Sequence, residues 1–123
     1  MKLTKNFSLA EFESKDGAKM PEEVFHNIQK LANQLQTLRN HLNRPITINS
    51  GYRSPEHNKA VGGTILSQHT RGKAADIVVS GLSTKRVAEA IEMLIKNGDM
   101  LQGGLGVYKN FIHYDIRGRK ARW

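Results

Sequence analysis

The sequence predicts an α+β fold, with helices packed on a small antiparallel or mixed sheet. Three observations point there. Helical periodicity dominates the first third of the chain. Strand-like segments then alternate with shorter helical ones, and a hairpin pattern lies near the C-terminus. At 123 residues the chain reads as one domain, residues 1–123, expected to act as a monomer. That length buries a sizeable core without a disulfide staple.

Each element has its own signal. Ser8-Leu9-Ala10-Glu11 fits a capping box opening a helix of one or two turns, with Leu9 and Phe12 as buried anchors. Ser14 to Lys19 is polar and contains Gly17, so it reads as a loop. Together they read as a structural lid or docking element without chemistry. Pro21 suits the first turn of the next helix, and Glu22 and Glu23 suit its positive end. Val24, Ile28, Leu31, Leu35, Leu38 and Leu42 recur at three- and four-residue steps, which makes this the longest helix. His26 and His41 on it have no partner at a metal-binding spacing and read as solvent-facing or capping.

Pro45 to Ser50 reads as a strand with Ile46 and Ile48 on one face. Ser54 caps a short helix from Pro55 to Val61, and Gly62-Gly63 ends it. His57 on it reads as an exposed helix residue. Ala74 to Val79 is a central, mostly apolar strand. Ser83 caps a third helix with Val87, Ile91 and Leu94 as its buried stripe, and Gly98 stops it. Gly103 to Tyr108 leads into a strand, Lys109-Asn110 makes a two-residue hairpin loop, and Phe111 to Ile116 returns.

Composition narrows the function. Without cysteine, no disulfide framework, thiolate metal site or cysteine nucleophile exists. No apolar run is long enough to span a membrane. Residues 1–6 lack the apolar core of a signal peptide, so synthesis in the cytoplasm is expected. The net charge of +8 favours anionic partners such as nucleic acid, teichoic acid or the carboxylates of peptidoglycan. No nucleic-acid recognition motif accompanies it, so nucleic acid is not the expected partner. Arg117, Arg119, Lys120 and Arg122 concentrate charge at the C-terminus, as a solvated tail or an anion-docking patch.

The chemistry centres on Ser67-Gln68-His69-Thr70-Arg71-Gly72-Lys73-Ala74-Ala75-Asp76. For His69 and Asp76 to share a metal ion, bonds of about 2.0–2.2 Å must reach one point. A straight strand would separate their Cα atoms by about 23 Å and a straight helix by about 10 Å. The chain must therefore double back, and Gly72 permits the tight turn. In Phe111-Ile112-His113-Tyr114-Asp115-Ile116 a period of 2 puts His113 and Asp115 on one face. His69, Asp76 and His113 would then form a two-histidine, one-carboxylate set with an open position. Such a set favours zinc, although cobalt or manganese fits chemically. Three residues with no common purpose remain the alternative, because spacing alone does not bring His113 to the other two.

Ser-x-His-x-x-Gly-x-Ala-x-Asp at 67–76, followed by His113 in a strand near the C-terminus, resembles the zinc D-alanyl-D-alanine carboxypeptidase family. That family includes peptidoglycan endopeptidases, and the hedgehog signalling domain shares its fold. The likeness runs from about Phe7 to Trp123 and is strongest to small members of phages and prophages. It implies a hedgehog-like fold, one zinc ion on His69, Asp76 and His113, and peptidoglycan stem peptides as substrate. It implies an endolysin-like role, with action on the wall after phage-type release or on a virion. It also places Arg53 at the site, holding a substrate carboxylate or steadying an oxyanion. Ser67, Gln68 and Tyr108 are further candidates for lining the cleft. The chain departs from the family pattern in one respect: a Glu or His usually stands just before the last zinc histidine. Here Phe111 and Asn110 occupy those places. Asp115 is then the candidate base, a carboxylate that orients a ligand, or the salt-bridge partner of Arg117 or Lys120. The rival to an enzyme is a catalytically silent zinc-fold module that binds cell wall or a protein partner.

Overall fold

The computed structural model describes residues 1–123. After a 3-10 turn at Leu9–Phe12, the elements are α1 (Glu22–Leu42), β1 (Ile46–Ser50), α2 (Pro55–Ala60), a 3-10 turn at Gln68–Arg71, β2 (Ala74–Val79), α3 (Thr84–Lys96), β3 (Gly104–Val107), β4 (Ile112–Asp115) and β5 (Ala121–Arg122). The five strands form one mixed sheet in the order β1-β2-β4-β3-β5, antiparallel except for β5, which runs parallel to β3. This is the expected α+β architecture.

Alternation along β2 and β4 divides the sheet into two faces. Ala75, Ile77, Val79, Ile112 and Tyr114 point to one side and meet Ile28, Leu31, Leu35 and Leu38 of α1 and Val87, Ile91 and Leu94 of α3 in one hydrophobic core. Asp76, His113 and Asp115 point to the other side. Helices thus cover one face and chemistry occupies the other. Tyr114 is fully buried, and its hydroxyl donates to Leu101 O at 2.7 Å, which satisfies its one polar atom.

The N-terminal segment is a docked element. Phe7 and Phe12 lie in the core, and Glu11 accepts the Ser8 backbone N–H at 2.7 Å. Leu9 is only partly buried. Tyr52 N–H donates to Phe12 O at 2.8 Å, and a methyl on Gly51 would lie 2.7 Å from Phe12 Cα. The segment therefore seats the turn that follows β1. The polar loop after it is more structured than its composition suggests. Asp16 accepts from Ser14 Oγ (2.7 Å), Ala18 N (3.0 Å) and Ser54 Oγ (2.5 Å), and Ser54 Oγ in turn caps α2 by accepting from His57 N at 3.0 Å.

The basic C-terminus is not a solvated tail. Residues 121–122 form a strand, Arg122 pairs with Glu92 at 2.8 Å, and Arg117 pairs with Asp115 at 2.8 Å. Periodicity could not show this, because a two-residue strand has no period. Lys120 and Arg119 are exposed. His26 and His41 are exposed on α1, as expected. The hairpin loop Lys109-Asn110 is closed by Tyr108 N–H donating to Phe111 O at 3.0 Å.

Gly72 carries the reversal between His69 and Asp76. Its φ is +71°, and an added Cβ would lie 2.7 Å from Val24 Cγ1 and 2.9 Å from Val24 O. Both the left-handed backbone and the close approach exclude a side chain. Gly72→Ala should destabilise the fold by about 1–3 kcal/mol, read as a lower urea midpoint at constant slope. An unchanged midpoint would show that this turn does not constrain the chain.

Hydrogen bonds from Ser54, then Ser14, then the Ala18 N–H hold the Asp16 carboxyl down at about 2, against an ordinary 3.8. A depressed folded-state pKa stabilises above the unfolded value. That contribution is complete above about pH 4 and is lost as pH falls through about 2. A carboxyl-carbon NMR titration should place the Asp16 midpoint near 2 and move it upward in Ser54→Ala. A midpoint unaffected by the substitution would remove Ser54 as the main cause.

Candidate metal centre and its cleft

Three segments build the site. β2 and β4 pair so that Asp76 lies directly opposite His113. The 3-10 turn at Gln68–Arg71 then carries His69 to the same point. Ser67 Oγ caps this turn by accepting from His69 N at 3.1 Å, and Gly72 ends it. The metal-ligating atoms of His69, Asp76 and His113 all lie within 4.8 Å of one another, and all three residues are buried. Asp76 Oδ1 is 3.1 Å from His113 Nδ1 and 3.3 Å from His69 Nε2.

The outer nitrogens decide what the inner ones offer. His69 Nδ1 is 2.8 Å from Gly51 O, which can only accept, so Nδ1 is the donor there. Its Nε2 lone pair then faces Asp76. His113 Nε2 is 2.7 Å from Asp115 Oδ2, which leaves Nδ1 facing Asp76 Oδ1. Two imidazole nitrogens and one carboxylate oxygen thus converge with their outer nitrogens tied back. That donor set fits a divalent transition metal, with Gly51 O and Asp115 as the partners that orient the rings.

The charges support one another. Burial pushes the Asp76 carboxyl up, but the facing His113 and His69 rings outweigh it and hold the group far below the carboxylate range. Burial opposes charge on His113 too, yet the flanking Asp115 and Asp76 carboxylates raise its pKa. Asp115 is likewise ionised despite burial, held by His113, by Arg117 and by the Gly104 N–H.

Asp115 does not sit where a base facing the cleft would. Its side chain is 0% exposed. Its oxygens accept from Arg117 Nε (2.9 Å) and Nη2 (2.8 Å), Gly104 N (2.8 Å) and Arg117 N (3.1 Å), besides facing His113. The shared face was foreseen. Of the two roles expected for it, its depth favours the carboxylate that orients a ligand, because it lies behind His113 over β3. Gly103 and Gly104 make room for it, since a methyl on Gly104 would overlap the Asp115 carboxylate.

A cavity of about 970 Å³ opens over the three donors. The expected residues Arg53, Ser67, Gln68 and Tyr108 all line it, and His57 does not. Arg53 is held by Ser50 Oγ (3.1 Å), Asn58 Oδ1 (3.4 Å) and Asp76 Oδ2 (3.4 Å), so it steadies a candidate ligand while facing the cleft. Gln68 Oε1 is buried without a hydrogen-bond partner. Beyond Asp76, His69 and His113, the lining contains no side-chain carboxylate or imidazole.

Of one wall, sequence reasoning foresaw Tyr108 and missed Phe111 and Trp123. Tyr108 and Phe111 stack at 4.3 Å, Trp123 Nε1–H donates to Tyr108 Oη at 2.7 Å, and Arg117 lies 5.4 Å over the Trp123 ring. Trp123 reaches the site because β5 runs beside β3 and Gly106 leaves space, where a methyl would strike the indole. The spacing of Gly104 and Gly106 in one strand was the available signal, since a glycine on a strand face marks a close approach. Asn58 was also missed. It is buried, and its Nδ2 holds Thr64 O at 2.7 Å on the opposite rim.

Comparison with known proteins agrees with this geometry. No curated protein matches the chain by sequence. The structure is similar to the crystal structure of the L-Ala D-Glu endopeptidase ChiX of Serratia marcescens. The TM-score is 0.52 at 18% identity, covering 80% of this chain and 90% of that one. At that identity the likeness concerns the fold. A family model described as Peptidase M15 matches residues 3–115, which contain all three candidate ligands. With the match spanning nearly its whole length, the chain belongs to the M15 family of peptidases.

Proposed function

We propose that this peptidase hydrolyses amide bonds in peptidoglycan stem peptides that contain D-amino acids, as a carboxypeptidase or an endopeptidase, with one zinc ion on His69, Asp76 and His113. The observation that carries the proposal is the convergence of those three donors at the floor of an open cleft. Family membership supports peptide-bond hydrolysis, and the fold of ChiX, an L-Ala D-Glu endopeptidase, supports a wall peptide as substrate.

Zinc bound there supplies Lewis-acid polarisation of a carbonyl and activation of water near neutral pH. The chain's own residues do the remainder. Asp115 is a positioning residue that holds the His113 ring with Nδ1 toward the centre. Gly51 O does the same for His69. Arg53 lines the cleft beside Asp76 and offers guanidinium N–H groups to a developing oxyanion or a terminal carboxylate. Tyr108 and Phe111 form an apolar wall against which a peptide lies.

One observation favours a second reading, a silent module that binds wall or a protein partner. No side-chain carboxylate or imidazole other than the three donors lines the cleft. Digestion of purified peptidoglycan by the zinc-loaded chain, with a chelated control and products read by mass spectrometry, separates the two. Released D-alanine identifies a carboxypeptidase and cleaved cross-links an endopeptidase. No product from a stoichiometrically zinc-loaded chain would overturn the hydrolase reading.

His69→Ala should abolish both stoichiometric zinc binding and zinc-dependent cleavage. Retention of both at the parent level would sink the site assignment. Asp115→Asn should lower zinc affinity about 10–100-fold by calorimetry, because a tied-back histidine loses its orienting carboxylate. Unchanged affinity with lost turnover would instead make Asp115 the base.

A further inference from the structure

The cleft is lined by four arginines, Arg53, Arg71, Arg117 and Arg119, against the single side-chain carboxylate of Asp76. Two of the four are committed. Arg53 is held by Ser50, Asn58 and Asp76, and Arg117 grips Asp115 through two nitrogens while lying over Trp123. The other two differ. Neither the Arg71 nor the Arg119 guanidinium makes a hydrogen bond or ion pair, and both residues are exposed at the cleft.

Their backbones are nevertheless fixed. Arg71 closes the turn that carries His69, its carbonyl accepts from Asn27 Nδ2 at 2.8 Å, and Gly72 follows in a conformation packed on Val24. Arg119 lies in the turn between β4 and β5. That turn is pinned on one side by Ile116 N–H on Lys73 O (3.0 Å) and on the other by Ala121 N–H on Gly103 O (3.3 Å). Two uncompensated cations of like sign on anchored turns, facing one concave surface, create a positive field that an anion relieves. A guanidinium matches a carboxylate through paired N–H donors. The rest of the lining is mixed, with apolar side chains such as Leu66 and Phe111 beside polar ones such as Thr64 and Gln68. The ligand that fits is therefore a peptide with a carboxylate away from the metal.

We propose that Arg71 and Arg119 form a carboxylate-recognition subsite beside the metal centre. It selects stem peptides that carry a free carboxylate between their termini over peptides in which that group is amidated. This rests on the stem-peptide reading above and adds the chemical feature that the cleft reads.

The test uses the full-length chain and four synthetic stem pentapeptides, identical at both termini. One has both inner carboxylates free, on D-glutamate and on the diamino diacid. Two have one of them amidated, and one has both amidated. Binding is followed on chelated protein through Trp123, the only tryptophan and part of the cleft wall. Cleavage is followed in parallel on zinc-loaded protein. The free peptide should bind about tenfold or more tightly than the doubly amidated one, and the singly amidated pair identifies which carboxylate is read. Arg71→Gln and Arg119→Gln should each reduce that affinity ratio about three- to tenfold, and the double variant should bring it close to one. A ratio near one in the parent, a ratio untouched in the double variant, or no binding of any peptide overturns the subsite. Selective binding without cleavage would leave the subsite standing and remove the hydrolase reading. Cleavage of all four peptides with equal affinity would do the reverse.

Discussion

The site depends on one backbone register, the antiparallel pairing that sets Asp76 opposite His113. Directly opposed residues on one face of an antiparallel pair lie about 5 Å apart, close enough for a carboxylate and an imidazole to share one ion. A slip of one residue would turn His113 into the core and Ile112 or Tyr114 toward the cleft. The core opposes that slip, because Ile77, Ile112 and Tyr114 are all essentially buried against α1 and α3. Packing on one face therefore fixes chemistry on the other. Only His69 arrives by loop, and its turn is held at both ends, by Ser67 and by Gly72.

Electrostatics around that register form a linked series rather than isolated pairs. Arg53 meets Asp76, Asp76 meets both histidines, His113 meets Asp115, and Asp115 meets Arg117. Carboxylates at this depth are stable only when several donors face them. Asp115 shows the arrangement most fully, with backbone and guanidinium donors on both oxygens. Such a group is well suited to fixing a ring and poorly placed to exchange protons with a substrate.

Much of the fold and the metal set could be read from the residues. Helix α1 declared itself through an apolar stripe over many turns, and β2 through its apolar run. His69 and Asp76 were legible as a pair through the motif at 67–76, whereas joining His113 to them rested on the family resemblance, because the alternation at 111–116 gives a face and not a partner. The depth of Asp115 was not legible, since period 2 gives a face and says nothing of what covers it. The fate of Arg122 was equally hidden. Arg117 and Arg122 find partners 2 and 30 residues away in sequence, and only the tertiary fold brings the distant one near. Ser14 and Asp16 look like ordinary loop polarity until Ser54 is seen against them.

The N-terminal segment connects to the metal centre through backbone alone. Phe12 O accepts from Tyr52 N, the Gly51 beside it packs on Phe12, and Gly51 O faces His69 Nδ1. Arg53 N–H donates to His69 O at 3.1 Å, which closes the link from the other side. The three residues after β1, Gly51 to Arg53, thus take their position from the core aromatic Phe12 and pass it to the histidine ring. A ligand histidine whose outer nitrogen is tied to a backbone carbonyl can turn only if that carbonyl moves. Here that movement would require unseating Phe12 from the core. The opening helical turn, which carries no reactive group, is in this sense part of the candidate metal site.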